Sequence, residues 1–210
     1  MNCLYKELRL SAHPSAWFYL ALGALTLVPA YPMGMVFFFS CLALFMTTQY
    51  CQETNDAVYT LLLPLTKRQA VRARFLLAAF LQLGTLLLSL PFALLRGPLG
   101  VGPNPVGLDP TPAYYGCGLL CYGLFNAVFF PAYYKRACRP GAAFLWALPP
   151  VALVILGMEG ASHLPCFAWL ESQNALLPQL FVLFGGAALY ALLTGLGCGA
   201  AARRYERANN

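Results

Sequence analysis

Acidic side chains are scarce in this chain. Only 7 Asp and Glu stand against 13 Lys and Arg among 210 residues, and charged residues of both signs make up 10% of the total. A water-soluble domain carries about 25% charged residues. With 60% of residues hydrophobic, the apolar surface is too large for one interior to hide, so lipid must solvate much of the chain. The patterns that carry chemistry are missing as well. No G-x-x-x-x-G-K-[ST] occurs, which excludes a P-loop nucleotide site, and no H-E-x-x-H occurs. The 8 cysteines form no C-x-x-C pair. Cys117 and Cys121 lie one helical turn apart and read as small apolar residues rather than metal ligands. No catalytic residue and no metal site is expected.

What remains is six apolar segments: Ala16–Val28, Met33–Gln49, Phe75–Leu95, Ala113–Tyr134, Ala142–Gly157 and Leu177–Ala202. A spanning helix needs about 20 apolar residues. The first two segments are short and meet at Pro29-Ala-Tyr-Pro32, which predicts a hairpin, since proline disfavours continued helix. Numbering the loops by six spans puts Lys6, Arg9, Lys67, Arg68, Arg72, Arg74, Lys135, Arg136, Arg139, Arg203, Arg204 and Arg207 on one side and only Arg96 on the other. Lys and Arg concentrate on the cytoplasmic face, so both termini are expected there, and the net charge of +6 reads as inner-face anchoring rather than a nucleic-acid surface. Met1–Leu10 sets Leu4, Tyr5 and Leu8 against Lys6, Glu7 and Arg9, a weakly amphipathic pattern that suits a short interfacial helix. His13-Pro14 ends it. The fold class is therefore all-α, a polytopic membrane protein of six transmembrane helices.

Ionisable residues sit at span edges, while the polar residues within spans, among them Gln82, Thr85, Asn126 and Thr194, are mild. A proton-coupled carrier would need a buried acid, so an external energy source fits better. The stretch Cys51–Phe75, CQETNDAVYTLLLPLTKRQAVRARF, offers it a place to push. Glu53 to Leu63 reads as a short helix with Asp56 and Tyr59 among its exposed groups, and Leu63-Pro64 breaks it. Thr66 is placed as an N-cap with Gln69 as capping-box partner. The new helix carries Lys67, Arg68, Arg72 and Arg74 through the phosphate zone into the third span. The alternative for this stretch is an ordinary amphipathic connector.

The opening LYKELRL, the run Glu53, Asn55-Asp56 and Tyr59, and the following LPLTKRQAVRARF resemble the ABC-2 type permeases, the small six-span subunits of ATP-binding cassette exporters, and among them the short bacterial permeases that export phenol-soluble modulins and lantibiotics. The resemblance implies a single permease domain over residues 1–210, with an elbow helix at 1–14, a cytoplasmic coupling segment at 51–74 and an outer loop or re-entrant helix at 158–176. It implies a bacterial cytoplasmic membrane location, two copies of a separate ATPase that binds ATP and magnesium, and a second permease copy, identical or related. This chain would bind no cofactor. Glu53, Asn55, Asp56, Tyr59 and Leu63 would couple to the ATPase. Phe37, Phe38, Met46 and Gln49 would line a pathway for an amphipathic peptide, since Met and aromatic surfaces adapt to varied partners. Glu159, Trp169 and Glu171 would gate the outer end. Gly195 and Gly199 form a G-x-x-x-G that allows close helix contact within or between subunits. A passive channel or secondary carrier, and a non-transporting scaffold or immunity protein, stand as the other readings.

Overall fold

The computed structural model describes residues 3–56, 60, 62, 65–135, 139–172 and 175–207. Their regular structure is all helical, with no strand among the described residues. Helix α1 (Cys3–Lys6) passes into a π turn over Glu7–Ser11, and α2 (Pro14–Ala21) passes into a 3-10 helix over Leu22–Leu27. The long helices are α3 (Met35–Glu53), α4 (Lys67–Leu95), α5 (Pro112–Lys135), α6 (Pro140–Ser162) and α7 (Leu176–Arg207). These five are long and apolar enough to cross a membrane, whereas the Pro14–Leu27 segment is shorter.

The helix starts follow local chemistry. Ala12 and His13 are extended, His13 Nδ1 accepts from the Ser15 amide at 3.1 Å, and Pro14 opens α2, where its missing N–H costs nothing. At Thr66 the capping box is complete: the hydroxyl accepts from the Gln69 amide at 3.3 Å, and the Gln69 side chain accepts from the Thr66 amide at 2.9 Å. Between the first two apolar segments the chain turns through Ala30, at φ 59°. The contacts His13–Tyr50 and Tyr19–Phe39 set Pro14–Leu27 antiparallel to α3. The expected hairpin is present.

Pro14–Leu27 runs alongside α4 and in the same direction. Trp17 packs on Phe80, and the Thr26 hydroxyl reaches the Ser89 carbonyl at 3.3 Å. The approach is close because Gly23 has no side chain. A Cβ there would stand 2.8 Å from the Thr85 carbonyl oxygen. The 3-10 half lengthens the segment. Eight α-helical and six 3-10 residues rise about 24 Å, against about 21 Å as pure α-helix. Extended Ala12, His13 and Val28 add roughly 3 Å each.

Helix α5 is central, with Tyr114, Tyr122, Phe125, Phe129 and Phe130 buried. The tilted ring contact Phe45–Phe144 joins α3 to α6 at 4.6 Å. Helix α7 packs on α5 through glycines. Gly186 lies against the Gly116 carbonyl, Gly116 against Val182, Gly123 against Tyr190 and Gly197 against Ala127. In lipid no hydrophobic force separates helix from solvent, so such backbone contact carries the packing. Within the subunit the G-x-x-x-G glycines are not the ones used: nothing lies within 4 Å of a Cβ at Gly195, and Gly199 would meet only Arg203.

All long helices share two ends. One gathers Lys67, Lys135 and Arg203; the other gathers Arg96, Asp109 and Glu159. At the second end the Arg96 guanidinium pairs with Asp109 at 2.8 Å and donates to the Thr26 carbonyl at 3.1 Å. Gly186→Leu should drive α5 and α7 apart at a cost of about 1–3 kcal/mol. Gly185→Leu, on the open side where a Cβ meets nothing, should be neutral. Thermal unfolding of both variants in detergent checks this.

Candidate functional site

At the basic end four charged side chains close a ring of alternating sign. The Lys6 ammonium lies 2.9 Å from Asp56 Oδ1 and 3.2 Å from Glu7 Oε1. The Arg74 guanidinium lies 2.6 Å from Asp56 Oδ2 and 3.2 Å from Glu7 Oε2. None of the four is more than 8% exposed. The third Lys6 proton goes to the Thr60 hydroxyl at 2.7 Å, and Arg74 also reaches Cys51 Sγ at 2.7 Å, while Glu7 Oε2 meets Arg74 as an ion pair and accepts no hydrogen bond among the described residues. Ser11 donates to Asp56 Oδ1 at 3.3 Å, and Cys51 donates to the Ser11 carbonyl. A cavity of about 30 Å³ beside Tyr133, Tyr134 and Tyr205 has room for a water.

The ring joins three parts of the chain: α1 with its π turn, the stretch after α3, and the first turns of α4. Helix α3 ends at Glu53, and Asn55 turns the chain at φ 53°, a conformation Asn tolerates. Asp56, Thr60 and Leu62 are helical. Asp56 and Thr60, one turn apart, face inward at 8% exposure each, and Leu62 faces outward at 79%.

Several expectations are corrected here. Asp56 is not an exposed docking group, because Lys6 and Arg74 hold it inside the subunit. Arg74 is not a phosphate-zone anchor, and Lys6 and Glu7 turn inward while Tyr5 is 56% exposed. A cation next to a span reads as an anchor until its distant acid is seen. The adjacent pair Lys6-Glu7 in so acid-poor a chain was the signal available. Of the remaining coupling residues, Glu53 and Asn55 are exposed, and Tyr59 and Leu63 lie outside the described residues. The Glu53 side chain has no ion pair or hydrogen bond to a described residue.

Phe37 is also corrected. It is 1% exposed and packed between Tyr114 and Tyr122, with ring centroids at 4.6 and 5.7 Å, so it fills the bundle interior rather than facing a shared pathway. Phe38 and Met46 are half-buried and Gln49 is exposed. At the far end Glu159 is a latch. Its carboxylate accepts from the Gly34 amide at 2.6 Å and the Leu108 amide at 3.1 Å, tying the end of α6 to the start of α3 and the approach to α5. Trp169 lies in a 3-10 helix, Pro165–Leu170, whose end is held by Gln179 donating to the Trp169, Leu170 and Ser172 carbonyls. Glu171 is half-buried; burial pushes its carboxyl up, and the Asp109 and Glu159 charges add to that against His163.

Halfway along the bundle, Gln82 and Asn126 exchange two amide hydrogen bonds at 2.9 Å, joined by Thr194 and Tyr190. Sequence reading names three of these singly and does not pair them. The middle of the bundle thus holds neutral polar groups, and the buried charges sit at its ends. Among the described residues no group of three His, Cys, Asp or Glu could hold a metal.

A family model described as ABC-2 family transporter protein matches residues 3–206. The chain belongs to that family. It is a multi-pass membrane component of an ABC transporter, a permease. The match includes both the N-terminal helix and the post-α3 stretch that the ring binds together. No curated protein and no solved structure matches the chain.

The ring has measurable energetics. Burial tends to raise the Asp56 carboxyl, and Arg74 and Lys6 outweigh it, so the group lies below its ordinary 3.8. A depressed carboxyl stabilises the fold above its unfolded value and loses that contribution as pH falls through the folded value. The permease should therefore keep this contribution at neutral pH and shed it only below about pH 4. Arg74→Met should cost about 3–5 kcal/mol, since it strands two acids. Asp56→Asn added to it should cost less than Asp56→Asn alone. A double-mutant cycle on unfolding in detergent reads that coupling.

Proposed function

We propose that this permease is the membrane half of an ATP-driven exporter in which the stretch around Glu53–Leu62 docks with a separate ATPase and passes its movement to α1 and α4 together. The observation that carries the reading is the buried charge ring. Asp56 and Thr60 hold the inner face of the stretch to α1 and α4, and this leaves Gln52, Glu53, Thr54, Asn55 and Leu62 exposed on its outer face. A docking surface needs an exposed side for the partner and a fixed side for the load. Both occur on one short segment. The ATPase, present twice, would bind the ATP and magnesium. Two permease copies, identical or related, would enclose the pathway.

The reading includes six crossings, with the basic end and both termini in the cytoplasm of a bacterium. It is supported by the parallel course of Pro14–Leu27 and α4, by a stretched reach near the roughly 30 Å of a bilayer core, and by the clustering of Lys and Arg at one end. The substrate would be amphipathic or hydrophobic, and a modulin- or lantibiotic-like peptide follows from the family resemblance. Phe38, Met46 and Gln49 share one face of α3, partly apolar and partly polar, which suits such a molecule. Glu159, Trp169 and Glu171 would act at the outer exit, Glu159 as the latch whose release lets α6 move from α3.

Two measurements test this. Glu53→Ala with Leu62→Ala should lower capture of the ATPase that copurifies with the wild-type permease at least tenfold, because losing one buried charged partner costs about 2–5 kcal/mol. The permease's own unfolding temperature should not change. Normal capture and normal substrate-stimulated hydrolysis in that variant would make the stretch a plain connector. For topology, Cys166, which is exposed, should react with an impermeant thiol reagent in intact cells, and a lone cysteine placed at Lys135 should not. Outside labelling at position 135 would overturn the orientation.

A further inference from the structure

The seam between α4 and α7 holds an open cavity of about 420 Å³ at the basic end, rimmed by Arg68, Arg72 and Arg203 and floored by Gly195, Cys198 and Gly199. Arg68 is held by Glu206, with Nε–Oε1 at 2.7 Å and a second hydrogen bond at 3.3 Å. Arg72 and Arg203 are exposed, and no acid among the described residues pairs with either. The floor is bare: a Cβ on Gly195 would meet nothing within 4 Å, and one on Gly199 would meet only Arg203 Nη1 at 3.6 Å. Below the rim the surface turns apolar. Leu76, Phe80, Leu83 and Leu87 follow Arg68 and Arg72 along α4, and Leu192 and Leu196 flank the α7 glycines, all exposed. Farther along the same seam a groove of about 340 Å³ is lined by Leu83, Leu87, Leu90 and Leu183.

We infer that this seam is a binding site for an anionic phospholipid, its phosphate on Arg72 and Arg203 and an acyl chain laid along the glycine floor toward Leu83. The dimensions fit. From Arg72 to Leu83, α4 rises about 16 Å, roughly one leaflet of a core about 30 Å thick. Arg68, fixed by Glu206, stands beside the other two as a pre-set donor, and guanidinium groups suit phosphate oxygens. A zwitterionic lipid would bring its own cation to a rim where Arg72 and Arg203 already stand without an acid, Glu206 being taken by Arg68. A second copy of the chain is the competing occupant, since bare glycines invite a helix. Two copies inserted the same way around a two-fold axis would, however, set residues of equal depth face to face. That would press one arginine rim against the other. An anion relieves what a second copy would aggravate.

The inward orientation rests on the preceding reading, and the experiment below reads lipid separately from ATPase capture. Detergent-purified permease is titrated with phosphatidylglycerol and with phosphatidylcholine of the same chains, and bound lipid is counted by native mass spectrometry. The wild type should prefer phosphatidylglycerol. Arg72→Gln with Arg203→Gln should reduce that preference about thirtyfold, at the usual worth of two basic residues near an anionic surface. Gly199→Leu should weaken retention of both lipids by filling the floor, and glycerol phosphate without chains should not displace the lipid. Equal binding of the two lipids by the wild type, or a preference kept by the double arginine variant, overturns the site. So does Gly199→Leu breaking a dimer with lipid binding unchanged, which would hand the seam to a second copy. Displacement by glycerol phosphate alone would reduce it to a headgroup site. Unchanged ATPase capture in the arginine variant alongside lost lipid preference separates this site from the docking stretch.

Discussion

Four charges taken out of water make the ring of Lys6, Asp56, Arg74 and Glu7 the constraint on which the basic end depends. An ion in a low-dielectric interior is costly unless its partners are well placed and its remaining hydrogen bonds are met. Here each cation touches both acids, each acid touches both cations, and the spare donors reach Thr60 and Cys51. The ring therefore tolerates little partial opening, because moving one member leaves two others exposed to the full penalty. Segments far apart in sequence are made into one mechanical piece. A displacement of the stretch after α3 must carry α1 and the start of α4 with it.

Away from the ring the subunit is held by different means at different depths. The Gln82–Asn126 pair spans α4 and α5 in mid-bundle and reaches α7 through Thr194. The Glu159 latch spans α6, α3 and the approach to α5 at the far end. Between these levels α5 and α7 approach through glycines and not through large side chains. This division follows from the solvent. Lipid tails compete equally with leucine for leucine, so only close backbone contact and polar pairs distinguish protein from lipid. Helix α7 illustrates the result: its small-residue face is seated on α5, while Phe181, Phe184, Leu192 and Leu196 stay exposed.

What the sequence discloses follows the same physics. Hydropathy locates the long helices, because lipid selects for apolar length, and Thr66 with Gln69 announces the start of α4 because a cap is a local interaction. Proline at positions 29 and 32 announces the hairpin for the same reason. Non-local choices are hidden. Phe37 and Phe38 are alike in composition, yet one fills the core against Tyr114 and the other lies half-buried beside Phe144, since interior and lipid-facing positions draw on the same residues. Gly195 and Gly199 carry the recognisable spacing, yet Gly186 and Gly197 make the contact, because a spacing rule does not know which face is turned inward. Arg74 and Arg72 sit two residues apart, and only the fold shows that one closes a ring with Glu7 while the other faces out. The 3-10 half of the first apolar segment is also invisible to a rule that counts residues at a fixed rise. That segment looks short by composition and is lengthened by its conformation.

Nearly every acid of the chain is already committed. Glu7 and Asp56 close the ring, Asp109 holds Arg96, Glu159 latches two amides, Glu206 holds Arg68, and Glu171 is half-buried at the far end. Glu53 is left exposed at the basic end, without an ion pair among the described residues. A chain with a net charge of +6 has cations to spare for every acid it needs to fix, so an unfixed acid there is available to a partner. Its position adds to this. It ends α3, next to a turn set by Asn55 and three residues before ring-bound Asp56, so little freedom is left for binding to remove. Pre-organisation of that kind lowers the cost of association, and an acid buried against a partner's cation orients that partner and also helps to hold it. Leu62, outward on the same stretch, supplies the apolar contact that would hold it.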